Sequence, residues 1–219
     1  MQAASASMSQ ALGSLLEVNT LDLWRGDRHV LRNVSFTVGP GQFLQLVGPN
    51  GVGKTSLLRV VCGLLPPESG DIAWRGRSVA GRAGREQFHG ELAYLAHANA
   101  LKGDLTAHEN LRFGVELRRT VEPDAYKRTM AALEIDRCAL LPERVLSAGQ
   151  RRRLALARVL LSAATLWVLD EPTTNLDMAG FKVVEDCIAE HLEAGGCVLA
   201  AAHHRLLEGD PRALALELD

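Results

Sequence analysis

The chain has 219 residues, enough for one well-buried domain and too few for several large ones. Apolar residues make up 47% and charged residues 23%, near the averages of globular proteins, which argues against a disordered chain and gives no sign of a membrane class. A formal net charge of -2 argues against a domain whose affinity comes from neutralising the phosphates of DNA or RNA, so no nucleic-acid partner is expected.

The opening "MQAASASMSQALGS" lacks the basic and apolar regions of a signal peptide. Its Ala/Ser content predicts a disordered leader over residues 1–14, with Met8 as a second candidate start, followed by a single domain over 15–219. "VLRNVSFTV" alternates and "FLQLV" is a continuous apolar run, so both are expected as strands. The second runs into a glycine-rich loop at Gly48 that opens a helix, "KTSLLRVVCG". "PPESGDIAWRGR" suits a turn and hairpin, and "ELAYLA" a short strand.

From about residue 98 to 163 the character becomes helical, in "TAHENLRFGVELRR", "DAYKRTMAALEI" and "SAGQRRRLALARVLLSA", punctuated by Pro123 and Pro142. Core elements resume with the strand "TLWVLD", the helix "MAGFKVVEDCIAEHLEAGG", the run "CVLAAA" and a last alternating segment "ALALEL". Apolar strands separated by crossover helices predict an α/β fold with a mostly parallel core sheet.

The longest apolar uncharged run, Val159 to Leu169, falls well short of the roughly 20 residues that span a bilayer. Cys62, Cys138, Cys187 and Cys197 form no CxxC pair and no metal-ligand spacing, so buried or idle thiols are expected. The glycosylation acceptor pattern at Asn33 carries no weight without a secretion signal.

"GPNGVGKT" satisfies G-x-x-x-x-G-K-[ST] between a predicted strand and a predicted helix. Gly48, Pro49, Asn50, Gly51, Val52 and Gly53 then form a loop whose backbone N–H groups converge on phosphate oxygens, reinforced by the helix N-terminus. Lys54 reaches the outer phosphates, Thr55 offers a hydroxyl to Mg2+, and Ser56 supplies a further phosphate contact. Downstream, "LWVLDE" ends an apolar strand on Asp170 and Glu171, at the sheet edge where ligands bind. Asp170 is expected to hold Mg2+ and Glu171 to orient or deprotonate the attacking water.

With "LSAGQ" between these two motifs and "DEPTTNLD" running on from the second, the chain resembles the ATP-binding subunits of ABC transporters from about Leu15 onward. That resemblance implies a P-loop NTPase of ABC type, with an antiparallel β region at its N-terminal side and an inserted helical subdomain. It also implies ATP and Mg2+ as ligands, and a head-to-tail homodimer. In such a dimer Ser147, Ala148, Gly149 and Gln150 of one copy close over ATP held by the other, as suits a helix N-terminus aimed at a γ-phosphate. Ala148 departs from the commoner LSGGQ; if the position needed positive φ, alanine would cost about 1–2 kcal/mol there.

His203 matches the switch histidine that contacts the γ-phosphate, and Asn175 and Asp177 fall in the loop that crosses the dimer seam. His97 stands where a glutamine usually senses Mg2+ and communicates with the membrane partner; a histidine there would make that communication sensitive to pH. Arg25 occupies the place of the aromatic residue that stacks on adenine, with Trp24 beside it, so base binding is expected to be weakened rather than lost.

These departures, with "YLAHANALK" and "LTAHENL", are similar to the cytochrome c maturation branch, the small ATPase of the haem-exporter type. Its resemblance implies a peripheral protein on the cytoplasmic face of a bacterial inner membrane, or of an organelle descended from one, engaging integral permease subunits through the helical subdomain. The implied work is ATP hydrolysis coupled to haem export or to release of a haem-loaded chaperone. Two alternatives stay open: an ABC ATPase serving another exported substrate, such as a drug or lipid, and a non-transport ABC-type ATPase. As for the basic run in "LSAGQRRRLALARVLL", a helical wheel puts Leu154, Leu156, Ala157, Leu160 and Leu161 on one arc. Arg151, Arg152 and Arg158 are expected as a solvated face, with Arg153 snorkelling from the rim.

Overall fold

A computed structural model describes residues 13–219, so residues 1–12 of the expected leader lie outside the described residues. Order is already established at Leu15, whose N–H donates to the Val38 carbonyl at 2.9 Å. Strands β1 (Leu16–Arg25) and β2 (Arg28–Val38) form a long antiparallel hairpin. With β4 (Ser69–Trp74) and β5 (Arg77–Ser78) they build one sheet in the order β2-β1-β4-β5. A second sheet contains β3 (Phe43–Val47), β6 (Leu92–Leu95), β7 (Leu166–Asp170), β8 (Cys197–Ala201) and β9 (Ala213–Glu217). Its strand pairs are all parallel, in the order β6-β7-β8-β3-β9.

Parallel neighbours cannot be joined by tight turns, and helices serve as the connections. They are α1 (Lys54–Val61), α2 (Arg82–Gly90), α3 (Ala107–Glu116), α4 (Pro123–Ala132), α5 (Ala148–Leu161) and α6 (Met178–Glu193). Each of the last four starts on a residue suited to the task. Thr106 and Glu109 form a capping box for α3, Pro123 occupies the first turn of α4, Ser147 and Gln150 form a second box for α5, and Asp177 accepts the Gly180 N–H at the start of α6.

Strands β7 and β8 are buried on both faces, as their unbroken apolar sequences require. Alternation sends Leu166 and Val168 into a core with Leu46, Leu57, Trp74 and the antiparallel sheet. Trp167 and Leu169 face the opposite core, shared with Leu111, Met130, Leu154 and Ile188 from the helices. The fold is thus the α/β arrangement expected.

Two elements escaped the sequence pattern. Strand β1 loses its alternation because the register shifts between Val18 and Leu21, where Thr20 takes a φ of 46°. Helix α2 buries only Phe88, too little to leave a periodic stripe. The basic run also needs correction. None of Arg151–Leu161 is fully exposed, and Arg152 is among the most deeply buried side chains of the protein. Helix α5 is packed against α3, α4, α6 and β6; Ala148 at its start is exposed and the Arg151 side chain is 38% exposed, whereas Arg152 is turned inward.

Candidate active site

The register of the parallel sheet brings four separate stretches to one edge. Leu95 pairs with Leu169, Asp170 with Ala201, and Ala201 with Leu46. The segments leaving β6, β7, β8 and β3 therefore emerge side by side at the carboxyl ends of the strands, carrying His97, Asp170–Glu171, His203 and the phosphate loop.

The loop from Gly48 to Gly53 depends on glycine at two kinds of position. Gly53 has φ 123°, and a Cβ on it would lie 2.8 Å from Val30 Cγ1, so β2 presses directly on the loop. Gly51 has φ 78° with open space around it, on an exposed crest with Pro49 and Asn50. Lys54, buried at the first turn of α1, donates from Nζ to the Gly48 carbonyl at 2.7 Å and to the Pro49 carbonyl at 3.1 Å. The ammonium is thereby held inside the curve of the loop, within the first turn of a helix whose N–H groups attract anions. Val52 and Ser56 are half-buried on either side of it.

Thr55 joins the loop to β7, its Oγ1 donating to Asp170 Oδ1 at 3.0 Å. Asp170 is 1% exposed, and its second oxygen, Oδ2, has no hydrogen-bond partner although it is buried. A buried carboxylate oxygen with no donor suits a cation. Among the described residues no group of three or more His, Cys, Asp or Glu gathers into a metal cage. Thr55 and Asp170 instead fit an ion that takes one hydroxyl and one carboxylate and completes its shell with phosphates and water, as Mg2+ does. Negative charge is concentrated here: burial, and then the Asp170 charge, push both the Cys62 thiol and the Tyr94 phenol up to about 12.

Glu171 follows in the left-handed region at φ 53°, an uncommon conformation for a non-glycine residue, with its N–H donating to the Ala201 carbonyl at 2.7 Å. The turn brings its carboxylate to His203: the His203 N–H donates to Glu171 Oε2 at 3.2 Å, and Nε2 of the ring lies 3.6 Å from Oε1. Gln45, which the sequence reading missed, holds the histidine segment. Buried in β3, it donates to the His204 carbonyl at 2.8 Å and accepts from the Leu206 N–H at 3.1 Å. A glutamine inside "FLQLV" was the available signal, because a polar side chain in a strand buried on both faces must be hydrogen-bonded.

Arg152 is the second missed residue. Its guanidinium donates to the Ala96 carbonyl at 2.8 Å and Asn99 Oδ1 at 2.9 Å on one side, and to the carbonyls of Asp170 and of Glu171 on the other, the latter at 2.8 Å. Burial brings its pKa down to about 10, against the opposing pull of Asp170 and Glu171, so it remains a cation at neutral pH. The Ala96 and Asn99 contacts bracket His97, which is exposed on the loop between them.

Arg25 ends β1 opposite Arg28, which donates to the Gly51 carbonyl at 2.8 Å and so ties the hairpin to the phosphate loop. Trp24, beside Arg25, stacks on His29 with ring centroids 4.4 Å apart and is 49% exposed.

The signature residues lie at the start of α5. Ser147 Oγ accepts the Gln150 N–H at 3.2 Å and Gln150 Oε1 accepts the Ser147 N–H at 2.8 Å, which leaves the Ser147 hydroxyl proton free to donate. Ser147 and Ala148 are exposed, and Ala148 is the first helical residue, with no positive φ to tolerate. Gly149 is half-buried against Asn175, at φ 64°, whose carbonyl would lie 2.9 Å from an added Cβ. Asn175 and Asp177 line a cleft of about 490 Å³ with Glu171, His203, Met178 and Phe181.

This arrangement is shared with known proteins. The ABC transporter family profile matches residues 31–174. A cytochrome c biogenesis ATP-binding export protein CcmA from Aromatoleum aromaticum is 48% identical over 185 residues, 82% of this chain and 84% of its own length. A second CcmA, from Cupriavidus metallidurans, is 44% identical over 194 residues, 88% of this chain and 91% of its own. The chain belongs to the ABC transporter family, in its CcmA branch. Among solved structures, an ABC transporter ATP-binding protein from Pyrococcus furiosus superposes with a TM-score of 0.81 at 26% identity, covering 94% of this chain and 98% of its own. Membership of this family implies that the domain binds nucleotide.

Proposed function

We propose that this chain is the ATP-hydrolysing subunit of an ABC transporter complex of c-type cytochrome biogenesis, energising haem export or release of a haem-loaded chaperone. The contact between Thr55 and Asp170 at 3.0 Å carries the reading. It joins a complete phosphate loop to a carboxylate at the switch edge of the sheet, in a chain 44% and 48% identical to CcmA proteins. Lys54 and the N–H groups of Gly51 to Thr55 bind the outer phosphates of ATP. Arg25 covers the base beside them. Thr55 and Asp170 hold Mg2+, which when bound neutralises charge on the phosphates. Glu171 orients a water molecule toward the γ-phosphorus and receives its proton, while His203 contacts the γ-phosphate and is kept in register by Glu171 itself. The products are ADP and inorganic phosphate.

Ser147, Ala148, Gly149 and Gln150 serve the ATP of a second copy in a head-to-tail homodimer, with Asn175 and Asp177 at the seam. Among the described residues no helix is long and apolar enough to cross a membrane. The chain acts as a peripheral subunit on the cytoplasmic face of the inner membrane, docked on integral permease subunits. His97 and the helices between β6 and β7 carry the movement to them.

Glu171→Gln tests the chemistry. It should keep ATP binding, lower turnover by about 100-fold or more, as loss of a general base does, and trap an ATP-bound dimer visible by size-exclusion chromatography. Turnover near wild type overturns the assignment. Deletion of the gene followed by haem staining tests the pathway, and normal covalent haem attachment in c-type cytochromes refutes it.

A further inference from the structure

We propose that Arg152 is a positioning residue that ties the catalytic carboxylates of one ATP site to the helix start serving the other. The inference rests on the head-to-tail dimer proposed above. Arg152 is 2% exposed and is the only buried arginine among the described residues. Its four acceptors are three backbone carbonyls and one amide oxygen, with no carboxylate oxygen among its hydrogen bonds. A buried cation without a direct ion-pair partner carries a large desolvation cost, whereas a leucine at this place in α5 would carry none. Simple packing does not account for it.

The identity of the acceptors does. The Asp170 and Glu171 carbonyls stand where β7 ends and the chain turns into the left-handed conformation at Glu171, a turn in which the Glu171 carbonyl also accepts the Thr174 N–H at 3.2 Å. Arg152 adds a side-chain donor to both carbonyls, from α5, and so fixes the turn that aims the Glu171 carboxylate. The same guanidinium grips Ala96 and Asn99, either side of His97. Its own backbone lies five residues beyond Ser147 in the same helix, about 8 Å along the axis. Two neighbouring contacts reinforce the tie: Gly149 abuts Asn175, and Arg153 Nη2 donates to Asp177 Oδ1 at 3.2 Å.

Glu171 acts on the ATP held by its own chain, and the start of α5 acts on the ATP of the partner. A rigid link between them makes the geometry of either site depend on the other, which is a coupling free energy between two bound ATP molecules. Arg152→Lys keeps a charge but loses the planar fork that reaches both sides at once.

Steady-state ATPase rates of the full chain against ATP concentration test this, alongside melting temperature and ATP affinity. Wild type should show a Hill coefficient above 1.5. Arg152→Lys should bind ATP within twofold of wild type, because the phosphate loop is untouched. It should lose about 10-fold in kcat, with a Hill coefficient near 1. A general loss of structure lowers kcat through the active fraction and leaves the Hill coefficient alone. Asn99→Ala removes one acceptor and keeps the arginine, so it should lower the Hill coefficient even where Arg152→Lys fails to fold. Wild-type Hill coefficients in the folded variants, or a non-cooperative wild type, overturn the proposal. Failure of Glu171→Gln to dimerise with ATP instead overturns the dimer on which it rests.

Discussion

Restoring the commoner signature by Ala148→Gly should bring no gain in turnover, whereas Gly149→Ala one residue later should be severely damaging. Ala148 is the first residue of α5, has no positive φ and is exposed, so its methyl group contacts nothing that a glycine would relieve. Glycine in a helix is less stable than alanine by about 0.5–1 kcal/mol, and at a first helical position the loss should fall at or below the low end. Gly149 differs because its missing Cβ would stand 2.9 Å from the Asn175 carbonyl oxygen. Reaching an ordinary separation of 3.4 Å means opening the contact by 3.4 − 2.9 = 0.5 Å, against backbone rather than a side chain able to swing away. Overpacking of this kind costs about 1–3 kcal/mol. The displacement also falls on the helix start that must meet the partner's γ-phosphate, and a shift of that size should reduce turnover by about 10-fold or more. Urea unfolding and steady-state ATPase rates on both variants are the assay. Either a several-fold rise in kcat for Ala148→Gly or wild-type stability for Gly149→Ala would refute the reasoning.

Two other outcomes follow from local geometry. Gly53→Ala should destabilise the fold by about 1–3 kcal/mol more than Gly51→Ala, since both strain a positive φ but only Gly53 meets β2. Equal unfolding midpoints contradict this. His191 is stacked on Trp167 at 3.8 Å and bonded through Nε2 to the Thr165 carbonyl, and burial lowers its pKa below the usual histidine value. A depressed imidazole stays neutral in the fold and binds its proton more readily when unfolded. Its contribution is therefore present above the unfolded pKa of about 6.5 and lost as pH falls through the folded value. Melting temperature should drop more steeply for wild type than for His191→Phe between pH 7.5 and 5.5, and parallel slopes would exclude the assignment.

The fold class was legible because the parallel strands are buried on both faces and so appear as unbroken apolar runs such as "LWVLD" and "CVLAA". The phosphate loop was legible because its chemistry is local, with eight consecutive residues specifying the glycines, the lysine and the hydroxyl. What stayed hidden was how distant stretches are fastened to one another. The wheel applied to α5 assumed a helix with one side in water, but that helix is packed among three helices and a strand, and Arg152, one of the arginines assigned to solvent, became the fastener. Arg28 on the Gly51 carbonyl, Gln45 on the His203 segment and Arg152 on the Glu171 turn share one property. Each is a polar side chain whose acceptor is a backbone carbonyl, and a backbone carbonyl leaves no mark in a sequence. Motifs name the groups that meet the substrate, while the groups that hold those motifs in place can be recognised only when burial forces the question of where their hydrogen bonds go.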